Sequence, residues 1–90
     1  MRNRDARDLA REWSRCQRAE LTVVECVYDK QRRHWRVELK TALDRRAHAF
    51  GLTGARAMIR AYTLLGFHRR GEDLVCSDEP QRSFPLAVTA

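Results

Sequence analysis

Over the first nineteen residues the apolar side chains recur with the period of an α-helix. Wound at about 100° per residue, Ala6, Leu9, Ala10, Trp13 and Cys16 fall on one face. Arg4, Arg7, Arg11, Arg15 and Arg18 follow one another at spacings of three and four on the opposite face. Asp5, Asp8 and Glu12 form a strip between the two, within i,i+3 reach of Arg11 and Arg15. The pattern predicts a helix over about Asn3–Ala19 with a core side and an arginine-lined side. Any fold of this chain has to be built against that core side.

The repeat then changes. Trp35, Val37 and Leu39 alternate with Arg36, Glu38 and Lys40, the period of a strand buried on one face. Leu21–Tyr28 is a second strand, apolar on both faces over Val23, Val24, Cys26 and Val27, which suits the centre of a sheet. The short polar connection Asp29–His34 predicts an antiparallel hairpin with Arg32 and Arg33 at a basic tip. Thr41 reads as the N-cap of a second helix with Leu43, Ala47 and Phe50 on its inner face, stopped by Gly51. Leu52 and Thr53 open a third, largely apolar helix that runs to about Leu65 and is closed by Gly66. Phe67–Arg70 and Leu74–Ser77 flank Gly71-Glu72-Asp73 as a last strand or a small hairpin.

The expected fold is therefore α+β: a three-stranded, mainly antiparallel sheet with about three helices in the order α-β-β-α-α-β. A chain of 90 residues has room for one such domain, and 43% hydrophobic residues are enough to fill its core. The domain is expected over residues 1–77. Residues 78–90, which contain Pro80 and Pro85, read as a flexible C-terminal tail.

Eighteen basic against twelve acidic residues give a net charge of +6, which favours a polyanionic partner. Nucleic acid or a nucleoprotein fits that charge, and so does an acidic protein surface. Arginine forks phosphate with two parallel hydrogen bonds and stacks on bases. The helix stripe Arg4, Arg7, Arg11, Arg15 and Arg18, together with Arg32, Arg33 and Arg36 around the hairpin, is therefore the candidate binding surface. The same stripe also reads as a solvated helix face partly neutralised by Asp8 and Glu12.

Catalytic and metal chemistry find little to stand on. There is no C-x-x-C or H-x-x-x-H spacing and no phosphate-binding glycine pattern, and no carboxylate is placed beside His34, His48 or His68. An enzyme, a metal site and a cofactor are not expected. Three cysteines, Cys16, Cys26 and Cys76, cannot all pair within one chain, and no run is apolar enough for a membrane helix. The expectation is a cytoplasmic protein with reduced thiols and no membrane contact.

Gly51-Leu52-Thr53-Gly54, lying between two predicted helices in a helix-strand-strand-helix-helix-strand order, resembles the KH domain in its bacterial-type arrangement. The resemblance covers about Leu43–Cys76, although its motif proper is those four residues. It implies that Gly51 and Gly54 sit in a loop clamping single-stranded nucleic-acid backbone, beside a groove containing Met58 and Ile59. Gly51 and Thr53 also read simply as a helix stop and a helix start. A DNA-reading helix-turn-helix is not expected. Its second helix would present Thr53, Gly54, Ala55, Met58, Ile59 and Tyr62, which offer few groups to base edges.

Two readings of function follow. The first is a non-enzymatic basic module contacting nucleic acid or a nucleoprotein through the helix stripe and the hairpin tip. The alternative is a small phage- or plasmid-type inhibitor or adaptor that acts on a host machine by protein–protein contact. Trp35 and the apolar third helix are also candidates for a homodimer contact.

Overall fold

The computed structural model describes residues 3–77. The chain runs α1 (Asn3–Arg18), β1 (Thr22–Asp29), β2 (His34–Lys40), β3 (Arg46–Gly51), α2 (Gly54–Leu64), β4 (Phe67–Arg70) and β5 (Asp73–Cys76). β1, β2 and β3 form an antiparallel meander with β2 in the centre, and β4 and β5 form a separate antiparallel hairpin. The α+β class and the three-stranded antiparallel sheet agree with expectation. The helix count and the order do not: the described residues hold two helices in the order α-β-β-β-α-β-β. The tail expected at 78–90 lies outside the described residues.

The difference originates at Thr41, which closes a turn instead of capping a helix. Its hydroxyl accepts from the amides of Leu43 and Arg45, and its own amide donates to the Arg45 carbonyl. Asp44 adopts a left-handed backbone with φ 66°, so the chain reverses within residues 41–45. Arg46–Gly51 then pairs along β2, with Ala47 opposite Leu39 and Ala49 opposite Val37. Ala47, Ala49 and Gly51 thus face inward with period two. Leu43, expected on an inner helix face, is 86% exposed at the turn.

β1 is an edge strand, not the central one. Its register slips between Val23 and Glu25: Val23 opposes Leu39, whereas Glu25 opposes Glu38. The bulge at Val24 absorbs the extra apolar residue, which is why a strand hydrophobic on both faces leaves Val24 and Val27 exposed.

The core forms where α2 lies across the inner face of the sheet. Ala57, Met58, Ala61, Tyr62 and Leu65 meet Val37, Leu39 and Ala49, with Cys16 and Leu21 closing the side. α2 starts and stops as the sequence indicates. The Thr53 hydroxyl accepts from Arg56 N at 3.1 Å, and Gly66 leaves the helix with φ 90°.

α1 packs with a different face inward. Leu9 and Trp13 are partly buried, and Cys16, Glu12 and Arg15 are buried, while Ala6 and Ala10 are exposed. The helix is turned toward its acidic strip because Glu12 finds polar partners inside. It ends with Glu20 at φ 62° and the Leu21 amide donating to the Cys16 carbonyl at 2.9 Å, which brings Leu21 into the core.

Candidate nucleic-acid interface

The five arginines of α1 divide into two groups. Arg15 is buried and donates to Glu12 Oε2 at 2.6 Å. Tyr62 Oη donates to Glu12 Oε1 at 2.8 Å, and Arg69 Nη1 lies 3.5 Å from Oε2. Burial, and then the hydrogen bond to Glu12, pushes the Tyr62 hydroxyl well above its ordinary range. On its other side Arg15 reaches Glu72 at 3.6 Å, and Arg18 binds the Asp73 carboxylate at 3.2 Å and the Glu72 carbonyl. Both residues hold the β4–β5 hairpin against the C-terminal half of α1. They belong to the fold, although the periodicity places them on a solvent face.

Arg36 is also engaged. Its guanidinium makes two hydrogen bonds of 3.1 Å to Glu25 on the outer face of the sheet, and the carboxylate raises its pKa further. The rest of that face is neutralised in the same way, with Arg46 3.5 Å from Glu38 and 3.6 Å from Asp44.

Arg4, Arg7 and Arg11 are exposed and make no ion pair among the described residues. The same holds for Arg32 and Arg33 at the β1–β2 tip. The tip backbone is fixed by Asp29, whose carboxylate accepts from Gln31 N at 3.0 Å and Arg32 N at 3.1 Å. These bonds, with the one from Arg32 the larger effect, hold the carboxyl below its ordinary value. Arg33 N donates to the Asp29 carbonyl at 2.8 Å, with Arg33 itself at φ 58°. The cationic side chains therefore project from an ordered turn.

Gly54 shows how these two groups are related. A Cβ there would lie 3.0 Å from Leu9 Cδ2 and 3.3 Å from Trp35 Cε3. The N-terminal half of α1, the start of α2 and the start of β2 therefore meet at one end of the domain, the end from which the hairpin tip projects. Arg56, in the first turn of α2, joins the group and makes no ion pair among the described residues. Arg4, Arg11, Arg56 and Arg69 line one cleft of about 530 Å³ between the helices. Arg4, Arg7, Arg11, Arg32, Arg33 and Arg56 are thus gathered at this end, whereas Arg70, which also makes no ion pair among the described residues, lies with Arg15 and Arg18 at the β4–β5 turn.

Gly51 and Gly54 serve packing. A Cβ on Gly51 would fall 2.6 Å from the Ala57 amide nitrogen, so glycine lets β3 run directly beneath the start of α2. The two glycines connect a strand to a helix. The pair of helices on which the likeness to a KH domain is drawn is not present at this loop, because residues 46–51 are β3. Arg56 and Arg69 escaped the sequence reading. The available signal was the Thr53 N-cap, which sets Arg56 in the first helical turn, where α1 comes to face it.

His34 stacks on Phe50 with ring centroids 4.6 Å apart, and His48 lies 6.0 Å from the same ring. His68 is exposed on β4. No group of three or more His, Cys, Asp or Glu among the described residues is placed to hold a metal ion. No helix among them is long and apolar enough to cross a membrane. Trp35 is partly buried against the core, and Met58, Ala61 and Tyr62 of α2 are inside it. No protein-family model matches the chain, and no curated protein and no solved structure matches it.

Proposed function

We propose that this domain is a non-catalytic module that binds the phosphate backbone of nucleic acid, free or within a nucleoprotein. Arg4, Arg7 and Arg11 on α1, Arg32 and Arg33 at the hairpin tip, and Arg56 at the start of α2 make the contacts. One observation carries the reading: six arginines without an ion pair lie together at one end of the domain, while Arg15, Arg18 and Arg36 are occupied elsewhere. A guanidinium not already held by a carboxylate can exchange its counterion for phosphate without breaking a contact of the fold.

The test is fluorescence-anisotropy binding to single- and double-stranded DNA and RNA at two salt concentrations. If six arginines engage phosphates, affinity falls by about a thousandfold between roughly 50 and 200 mM salt. The variant Arg7→Glu/Arg11→Glu keeps its fold and loses binding. Absence of binding to every oligonucleotide at low salt overturns the reading.

That outcome would favour the alternative, an inhibitor or adaptor acting by protein–protein contact. Val24 and Val27, both exposed on the edge strand β1, are the observation on its side. Pull-down with the intact protein, compared with a Val27→Glu variant, tests it.

A further inference from the structure

The cleft between the N-terminal halves of α1 and α2 contains groups that phosphate binding alone does not use. Asp5 and Asp8 line it, half-buried, and neither makes an ion pair or hydrogen bond among the described residues. Yet Arg4, Arg11 and Arg56, which make no ion pair among the described residues, line the same cleft, along with Arg69, which Glu12 holds. Glu12 differs, because Tyr62 and Arg15 take both its oxygens. Ala55 and Ile59 add an apolar wall. Its volume of about 530 Å³ lies within the usual range for small-molecule sites.

Unpaired carboxylates beside unpaired guanidiniums call for a ligand that brings both N–H donors and negative charge. Within a nucleic acid, a guanine nucleotide offers that combination. Its base presents N1–H and the 2-amino group side by side, a match for the two oxygens of one carboxylate. Its phosphate suits the arginine fork. Cytosine and adenine each bring only an exocyclic amine next to a ring acceptor, and uracil and thymine bring a lone N–H between two carbonyls. None of these meets a carboxylate with two donors.

We propose that this cleft receives one unpaired guanine nucleotide of a bound strand. Asp5 or Asp8 accepts from the Watson–Crick edge, Ala55 and Ile59 pack against the base, and Arg4, Arg11 and Arg56 hold the flanking phosphate. The inference rests on the nucleic-acid reading above and adds a base preference to it.

The experiment is competition binding with single-stranded thymidine oligonucleotides that carry one central guanine, inosine or adenine. Inosine keeps N1–H and lacks the 2-amino group, so it tests the two-donor contact from the ligand side without altering the protein. The guanine strand is expected to bind about tenfold or more tighter than the other two. Asp5→Asn/Asp8→Asn is expected to remove that difference while leaving affinity for the all-thymidine strand unchanged or raised. Equal binding of guanine and inosine strands by the wild-type protein overturns the guanine site and leaves the nucleic-acid reading standing. No binding to any strand overturns both.

Discussion

The Glu12 carboxylate is shared between two helices: Tyr62 Oη of α2 donates to Oε1 at 2.8 Å, and Arg15 Nη1 of α1 donates to Oε2 at 2.6 Å. All three side chains are buried. A charged pair removed from water costs free energy unless its groups are satisfied; here both carboxylate oxygens are taken, with Arg69 3.5 Å away, while Arg15 Nε has no partner. Removing Glu12 leaves the Tyr62 hydroxyl without its acceptor and Arg15 with only its longer contacts to Glu72 and the Gly71 carbonyl. Glu12→Ala is expected to lower unfolding free energy by about 3–5 kcal/mol, because it takes from the Arg15 guanidinium its one buried carboxylate. Tyr62→Phe removes one donor and keeps the packing, so about 1–3 kcal/mol is expected. Urea unfolding followed by Trp fluorescence measures both. A loss below about 1 kcal/mol for Glu12→Ala would mean that the carboxylate is solvated.

The division of the α1 arginines gives a second prediction. Arg7→Glu/Arg11→Glu alters exposed side chains that lack an ion pair, so stability is expected to change by no more than about 0.5 kcal/mol. Arg18→Ala removes the link to Asp73 and the Glu72 carbonyl, an exposed contact worth about 0.5–1 kcal/mol. It is expected to speed amide hydrogen exchange in β4 and β5 while oligonucleotide affinity stays unchanged. If Arg18→Ala reduced affinity as much as the Arg7/Arg11 variant does, the whole stripe would be one surface.

How much of this was legible in the sequence depends on whether a feature is local. The Thr53 cap, the Gly66 stop, the basic hairpin tip and the Gly71 turn are set by neighbours a few residues away, and each is where the pattern puts it. Residues 41–51 fit two periods. Leu43, Ala47 and Phe50 repeat as a helix does, while Ala47, Ala49 and Gly51 alternate as a strand does. Pairing with β2 decides between them, and pairing is not local. The rotation of α1 was hidden for a similar reason. An inward Glu12 makes sense only once Tyr62, fifty residues away, is known to meet it. For the interface, residue type identified the arginines. Their partners, which separate the free from the engaged, come from distant elements.

The glycines allow a contrast between crowding and backbone strain. At Gly51 a methyl group would sit 2.6 Å from the Ala57 amide nitrogen, part of a helix that cannot yield alone. Gly51→Ala is expected to cost about 1–3 kcal/mol and to displace the start of α2. At Gly71 an added Cβ would meet nothing within 4 Å, but φ is +63°. Gly71→Ala is therefore expected to cost only about 1–2 kcal/mol, from the left-handed backbone alone, without moving its surroundings. Gly71→Asn, which tolerates that conformation better, should recover part of the loss, whereas Gly51→Asn should be worse than Gly51→Ala. Thermal unfolding of the four variants checks the order.

Cys16 makes stability depend on pH at the alkaline end. Its thiol is fully buried, and burial, with the charge of Glu12 as the smaller cause, pushes its pKa from 9.0 up to about 12. Between those values the folded chain keeps the proton that the unfolded chain releases. The contribution is therefore complete below about pH 9 and declines as pH rises toward 12, at up to about 1.4 kcal/mol per unit. Tyr62, raised in the same sense, adds to the decline in any variant that retains it. Comparing wild type with Cys16→Ala separates the two: the substitution costs a constant amount at neutral pH for the lost packing, and the gap narrows above pH 9. Urea unfolding at intervals from pH 7 to about 10.5 reads the difference directly. A gap that stays constant across that range would mean that Cys16 titrates in the folded protein as it does in the unfolded chain, and that its surroundings admit water.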